Sequence, residues 1–260
     1  MAAPENHKDM EAPSSSTTHL GYRQVPEADK GRLVHRHFEV IARKYDLMNT
    51  LLSFGYHHFW KWTAVRLMRL KKGDRVLDVC GGTGDLALLA AKVVGTKGRV
   101  VVCDFNRAMM LAGRPKVCCS SLAPRLSCVQ GDAENLPCPD ASFDAAMVGF
   151  GVRNLTHPDL GLKEMHLVLK PCGRLMILEF STPVTPWFRR MYDFYSFHLM
   201  PRLGRLVVGA EAAYTYLPES IRMFAQPAEL AGLMEQMGFT QVSFRRLTNG
   251  IAVVHLGVKI

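Results

Sequence analysis

Apolar residues along this chain alternate between two spacings. Short continuous runs suit buried strands, and longer stretches with apolar positions three and four apart suit helices. Arg75-Val-Leu-Asp-Val79 reads as a strand, bounded by Lys71-Lys72-Gly73-Asp74 before it and by glycines after it. Asp85 to Val94 then continues as a helix. A second strand is expected near 99–103, a helix from Arg107, a third strand near 126–130 and a fourth over Asp144 to Phe150. The helix around Leu160 to Leu169 should end at Lys170-Pro-Cys-Gly173, where proline and glycine stop it. A fifth strand follows over Arg174 to Phe180. A last helix from Pro227 to Met237 stops at Gly238, and two strands near 240–246 and 251–258 close the chain. No internal repeat is visible. This alternation predicts an α/β fold with an open, mostly parallel sheet. In such sheets ligands bind beyond the carboxyl ends of the strands.

Two regions stand outside the alternation. In Val34 to Tyr45, the residues Phe38, Ile41, Ala42 and Tyr45 recur at helical spacing. In His57 to Leu70, Phe59, Trp60, Thr63, Leu67 and Leu70 do the same, so 30–72 reads as an N-terminal helical layer. Residues 182–222 come after the fifth strand and are dense in aromatics: Trp187, Phe188, Tyr192, Phe194, Tyr195 and Phe197, with Arg189, Arg190, Arg202 and Arg205 among them. An insertion there lies at the carboxyl edge of the sheet and can fold over a ligand as a lid. Its composition suits nucleic-acid stacking, a hydrophobic substrate at a membrane surface, or a helical subdomain with its own core. Residues 1–29 are polar and read as a mobile tail ahead of one domain over 30–260.

The stretch Cys80-Gly-Gly-Thr-Gly-Asp85 turns the first strand into the first helix. Glycine allows the sharp turn and lets a ligand approach the backbone. Gly82-Thr-Gly84-Asp-Leu-Ala87 formally satisfies the dinucleotide pattern G-x-G-x-x-A. Asp85 opposes that reading, because a carboxylate in the first helical turn occupies the place a pyrophosphate needs. S-adenosylmethionine (SAM) carries no phosphate, and acidic groups tolerate its ammonium. Asp104 ends the second strand one βαβ unit later, where a carboxylate can take both ribose hydroxyls. Asp132 and Ala133, leaving the third strand, can bracket an adenine edge. Each aspartate alone suits an ordinary turn; the three in this order favour SAM.

Composition narrows the setting. Apolar residues make up 48% of the 260, enough for a large core. No apolar run approaches bilayer-spanning length. Neither a secretory signal nor a transit peptide is expected, since Glu5, Asp9 and Glu11 sit in the N-terminal stretch; the chain reads as cytoplasmic. Seven cysteines without a C-x-x-C pair form neither a disulfide framework nor a zinc site. Pro137-Cys138 and Pro171-Cys172 lie in turns rather than in nucleophile positions. His35-x-His37 and His57-His58 read as exposed helix positions, so no metal site is expected. The net charge of +9 is uneven, with +8 over 30–72 and +1 over 73–181. A basic helical layer suits nucleic acid or an anionic membrane surface, or is simply a solvated face.

Further stretches carry a resemblance. Lys44-Tyr-Asp-Leu-Met-Asn49, Leu52-Ser-Phe-Gly55, Gly81-Gly-Thr-Gly-Asp85, Phe150-Gly-Val-Arg-Asn154, Leu178-Glu-Phe-Ser181, Tyr195-Ser-Phe-His198 and Glu219-Ser-Ile-Arg222 make the chain similar to the ubiquinone/menaquinone biosynthesis C-methyltransferases, from Thr18 to the end. The resemblance implies a class I, Rossmann-like SAM-dependent methyltransferase fold, seven-stranded with the last strand antiparallel. It implies methylation of a ring carbon on a polyprenylated hydroquinol, at the inner face of a membrane. By position Gly81, Gly82, Thr83, Gly84, Asp104, Asp132, Ala133 and Gly149 fall on the cofactor side. Gly149 stands where some members carry Ser, Asp132 where some carry Asn, and Cys172 where Gly is usual.

A quinol ring carbon becomes nucleophilic when the neighbouring hydroxyl loses its proton. Arg153, directly after the fourth strand, is placed at the reactive end of the cofactor. It stays protonated, so it is no base, but it can stabilise a phenolate or polarise a water. A structural contact to a sheet-end carbonyl or carboxylate is the competing role. Asn154, Tyr45, Asp46 and His198 are further candidates for orienting ring hydroxyls. An RNA base methyltransferase would also explain the charge, but the amino-methylating kind carries Asn/Asp-Pro-Pro-aromatic after the fourth strand, where this chain has Gly149-Phe-Gly-Val-Arg153; no nucleic-acid partner is expected. A non-catalytic SAM- or lipid-binding protein is a third reading. A homodimer or a complex of biosynthetic enzymes stays open.

Overall fold

The computed structural model describes residues 16–260. It opens with a hairpin of β1 (Thr17–Leu20) and β2 (Arg23–Pro26), followed by α1 (Glu27–Ile41), α2 (Tyr45–Leu52) and α3 (Tyr56–Leu67). The tail expected over 1–29 is thereby corrected from Thr17 onward, while its first fifteen residues lie outside the described range. The hairpin is tied down because Leu20 packs on Val34 and Tyr216, and Gly21 at φ +62° turns the chain against Glu219.

The α/β unit then runs β3 (Arg75–Val79), α4 (Asp85–Val94), β4 (Arg99–Asp104), α5 (Arg107–Cys118), β5 (Leu126–Gln130), β6 (Phe143–Gly149), α6 (Pro158–Val168) and β7 (Leu169–Phe180). Helices α7 (Pro186–Phe194), α8 (Met200–Val208) and α9 (Glu211–Met223) form the insertion, with a wide helical turn over Tyr195–Leu199. Helix α10 (Pro227–Gln236), β8 (Phe239–Leu247) and β9 (Ala252–Lys259) complete the chain. The sheet order is β5-β4-β3-β6-β7-β9-β8, and β9 runs antiparallel to both neighbours. The expected seven-stranded sheet with an antiparallel last strand is present. Strand β7 starts earlier than expected, at Leu169, because Lys170-Pro-Cys-Gly173 forms a bulge within the strand rather than a turn before it.

Apolar layers cover both faces, α3 and α4 on one side, α6 and α10 on the other. The inner parallel strands β3, β4 and β6 are buried on both sides for that reason, whereas β5 at the sheet edge is partly exposed and more polar. A third core joins the two regions that stood outside the alternation: Ile41, Met48 and Leu52 pack on Met200, Ala210 and Tyr214. Helices α1 and α2 of the N-terminal layer and the insertion are one helical cap, while α3 belongs to the cover of the sheet. The stripe read on α3 is displaced. Phe59 is exposed, whereas His57, Trp60, Lys61, Ala64 and Val65 are buried.

Candidate active site

The registers Val79↔Cys103 and Val79↔Val148 bring the ends of β3, β4 and β6 level. Chain order reverses between β4 and β6, the two neighbours of β3, so the edge opens into a crevice there. Cys80 and Phe150 both leave their strands with positive φ, 53° and 59°, a conformation non-glycine residues avoid. Such strain is typical of functional edges.

Two cavities lie above this edge. The smaller, about 200 Å³, is lined by Gly81, Gly82, Thr83, Asp104, Asp132, Ala133 and Gly149. Of the cofactor residues expected from sequence, only Gly84 is outside it. Gly84 instead shapes the turn at φ +82°, and a side chain there would meet Val117. Asp104 is buried, and its two oxygens accept from the Gly82 and Asn106 amides, each at 2.7 Å. Burial pushes its carboxyl up, against those two hydrogen bonds. Asp132 is exposed at the rim and also accepts from the Glu134 amide at 2.9 Å, so it serves turn and cleft together. A Cβ on Gly149 would come within 2.5 Å of Leu86, which explains the absence of a side chain there.

Asp78 was not anticipated. It is fully buried at the end of β3, it lines the same cleft, and one carboxyl oxygen has no partner while the other accepts from the Ala87 amide at 3.0 Å. Burial, with Asp104 and Asp85 nearby, pushes its carboxyl up to about 8. Asp85 behaves differently from the expectation. Lys61 at 2.6 Å and Lys116 both pair with it, and they hold its carboxyl well below the usual range despite burial. The acid that seemed to repel a phosphate is therefore neutralised. Lys116 also bonds Asp46 at 2.6 Å, and Thr83 donates to Asp46 at 2.7 Å, so Asp46 clasps α2 onto the glycine turn.

The larger cavity, about 580 Å³, is walled by Trp60, Phe150, Phe180, Phe188, Tyr192 and Tyr214 among others. Phe38, Tyr45 and Phe150 line both spaces, so the two meet at these residues. Arg153 lines the larger one. Its Nη1 bonds Glu179 at 2.8 Å and the Phe150 carbonyl, and its guanidinium lies 5.3 Å from the Phe180 ring centre. The contact to a sheet-end carbonyl and carboxylate is thus present, yet its buried Nε–H has no partner. Asn154 accepts from the Tyr216 hydroxyl at 3.0 Å and lines the smaller cavity. Asp46 lines neither, and His198 is exposed against Phe194, lining neither. Glu179, the buried partner of Arg153, was missed although it stands in the quoted stretch Leu178-Glu-Phe-Ser181.

A crevice at the switch point of a 3-2-1-4-5-7-6 type sheet, with Asp78 next to the end of β3 and Asp104 ending β4, is that of a class I SAM-dependent methyltransferase, and this chain is one. Solved structures agree on the fold. A SAM-dependent methyltransferase from Aquifex aeolicus superposes with a TM-score of 0.56 at 21% identity, covering 77% of this chain and 89% of that one. One from Thermotoga maritima gives 0.61 at 20% identity, covering 87% and 100%. The chain belongs to the ubiE/COQ5 methyltransferase family, which matches residues 24–259. It is 45% identical over 243 residues to a ubiquinone/menaquinone biosynthesis C-methyltransferase UbiE of Stutzerimonas stutzeri, covering 94% of this chain and 95% of that protein. The Pseudomonas aeruginosa protein of the same name is 44% identical over 248 residues, covering 95% and 97%.

Proposed function

We propose that the protein methylates a ring carbon of a polyprenylated hydroquinol at a membrane surface. The observation that carries this reading is the junction of a polar cleft with a larger aromatic-walled cavity at Phe38, Tyr45 and Phe150. The larger space is of the size that encloses a ring with part of an apolar tail, and the curated relatives act in ubiquinone and menaquinone biosynthesis.

The smaller cleft fits SAM on its own features. The unpartnered Asp78 oxygen offers an acceptor to an ammonium, and a Cβ on Gly81 would come within 2.7 Å of Val102, so only glycine lets the turn sit this close on β4 at the floor of the cleft. Gly81 to Thr83, Asp104, Asp132, Ala133 and Gly149 would hold the cofactor. When bound, it supplies a methyl group already activated on a sulfonium. The chain's own part is alignment and exclusion of water. Trp60, Phe150 and Phe180, packed edge-on and stacked at 4.2–6.4 Å between ring centres, form a dry wall beside the junction. Arg153, fixed by Glu179, offers its remaining N–H groups to a ring oxygen that gains charge. Tyr45 at the junction orients the ring, while Asn154, braced by Tyr216 and the Phe150 carbonyl, shapes the cofactor side beside it. The direct test is methyl transfer from labelled SAM to a reduced, short-tailed quinol.

Membrane contact is supported by the mouth of the larger cavity. Phe54, Tyr56, Met191, Phe194 and Leu199 line it and are also exposed, Phe54 at 77% and Phe194 at 60%. Exposed Arg189, Arg190, Arg202 and Arg205 stand on or beside the same helices. Among the described residues no helix is long and apolar enough to cross a membrane. An apolar rim with basic flanks instead suits an interfacial contact that admits a prenyl tail directly from lipid. Co-sedimentation should show binding to anionic vesicles that weakens with salt and drops by roughly tenfold in the Phe54→Glu, Phe194→Glu double variant, about 1.4 kcal/mol. Equal partition to neutral vesicles, or tighter binding to RNA than to lipid, contradicts this placement.

A further inference from the structure

His57 has no part in the chemistry described so far, yet it is buried at 3% exposure and lines the larger cavity. It begins the buried face of α3. Trp60, three residues on, walls the same cavity, and Lys61, four residues on, lines the cofactor cleft. That face of the helix therefore runs past the place where the two spaces meet, with His57 on the side of the proposed acceptor ring.

The hydrogen bonds around His57 favour one tautomer. The Thr50 hydroxyl has one proton, and it lies 2.9 Å from the Asp46 carbonyl, which has none to offer. The hydroxyl therefore donates there. Its other contact, 3.1 Å to His57 Nε2, is made at the same time when Nε2–H donates to the hydroxyl oxygen. A neutral imidazole protonated on Nε2 carries a bare lone pair on Nδ1. That Nδ1 is buried without any partner, and since most buried polar atoms are paired, the orphan lone pair calls for a functional explanation. Burial, then Lys61 and His58, hold the imidazole far below its usual range, down to about 4, so the neutral form persists at physiological pH.

We propose that His57 Nδ1 accepts the hydrogen bond of a ring hydroxyl and takes its proton as the methyl group is transferred. The proposal rests on the quinol reading above. The new C–C bond draws its pair from the ring π system, while the bond to sulfur breaks and leaves its pair on sulfur. The positive charge that passes to the ring makes the hydroxyl far more acidic than it was in the free quinol. A weak base is then sufficient: the proton moves to Nδ1, and the O–H pair becomes the second bond of a ring carbonyl. The hydrogen on the methylated carbon next leaves to water and its pair restores the aromatic ring. The carbonyl oxygen recovers the proton from His57, which returns to its neutral form. One proton in all reaches solvent, matching the sulfonium charge consumed.

The test combines turnover with a nitrogen spectrum. His57→Ala should fall in kcat by roughly 10², the lower range for loss of a general base, with SAM affinity unchanged. Added imidazole should restore part of that loss. Thr50→Val, which releases the tautomer lock but keeps the ring, should show a smaller fall and serves where His57→Ala does not fold. In 15N spectra of the whole protein, Nε2 should carry the proton. The bare Nδ1 signal should shift when a hydroquinone bearing one prenyl unit is added. A protonated Nδ1, a signal unmoved by the hydroquinone, or wild-type kcat in folded His57→Ala overturns the proposal. A wild type that methylates no quinol instead refutes the function proposed above, and the titration judges His57 independently.

Discussion

Arg153→Ala is expected to lower methyl transfer by roughly 10²–10³, as for loss of one donor to a developing oxyanion, with SAM affinity close to that of the wild type. The structure adds a complication that the sequence did not contain. Glu179, 1% exposed, would be left as an unpaired buried charge, which typically costs about 3–5 kcal/mol of stability. The double variant Arg153→Ala, Glu179→Gln removes that penalty, so it should recover the melting temperature but not the turnover. Arg153→Lys should recover only part of the rate. An ammonium cannot hold Glu179 and the Phe150 carbonyl while still presenting N–H groups to the ring. The loss should shrink at high pH, where a quinol ionises without help. Folded Arg153→Ala protein that binds SAM and turns over at the wild-type rate at neutral pH would remove the guanidinium from the mechanism and leave it as the structural partner of Glu179.

Asp104→Ala should weaken SAM binding by roughly 1–3 kcal/mol, about 5- to 150-fold, the loss associated with hydrogen bonds to a charged group. The carboxylate acts twice. It faces the cleft, and it also fixes the Gly82 and Asn106 amides at 2.7 Å, so the glycine turn loosens with its removal. Asp104→Asn keeps one acceptor for those amides and should lose less. NAD should show no appreciable binding to either variant or to the wild type. Calorimetry that finds unchanged SAM affinity in Asp104→Ala, or micromolar NAD affinity, contradicts the assignment.

The sheet was legible because its signals are local. Arg75 to Val79, the three glycines and the helix after them are contiguous, and the strand at Arg99–Asp104 announces itself by four apolar residues before an acid. The cofactor side followed from those strand ends, and seven of the eight residues named for it line one cleft. What failed was whatever depends on partners distant in sequence. Asp85 read as a bare anion because Lys61 and Lys116 lie 24 and 31 residues away. His57 read as exposed because a histidine pair on a helix gives no hint of which ring turns inward; His57 does and His58 does not. The α3 stripe was drawn through Phe59 on hydrophobicity alone. The structure instead buries two polar residues, His57 and Lys61, and leaves Phe59 outside. That exchange is itself informative, since burying polar groups while exposing an aromatic costs stability and is expected at sites that bind something. The hairpin at Thr17–Pro26 was unreadable for another reason. It has few apolar residues, and it is held by contacts to α1 and α9 rather than by its own pattern.

The central claim is that the aromatic-walled cavity presents a quinol ring to the methyl donor. Purified protein, methyl-labelled SAM and a short-tailed demethylquinol kept reduced, followed by mass and carbon NMR of the product, test it most directly. The account predicts a product one methyl heavier, with the label on a ring carbon rather than an oxygen, and none when the substrate is supplied as the oxidised quinone. Label on a ring oxygen, equal turnover of the oxidised quinone, or label transferred to RNA while the quinol stays unmodified would contradict it.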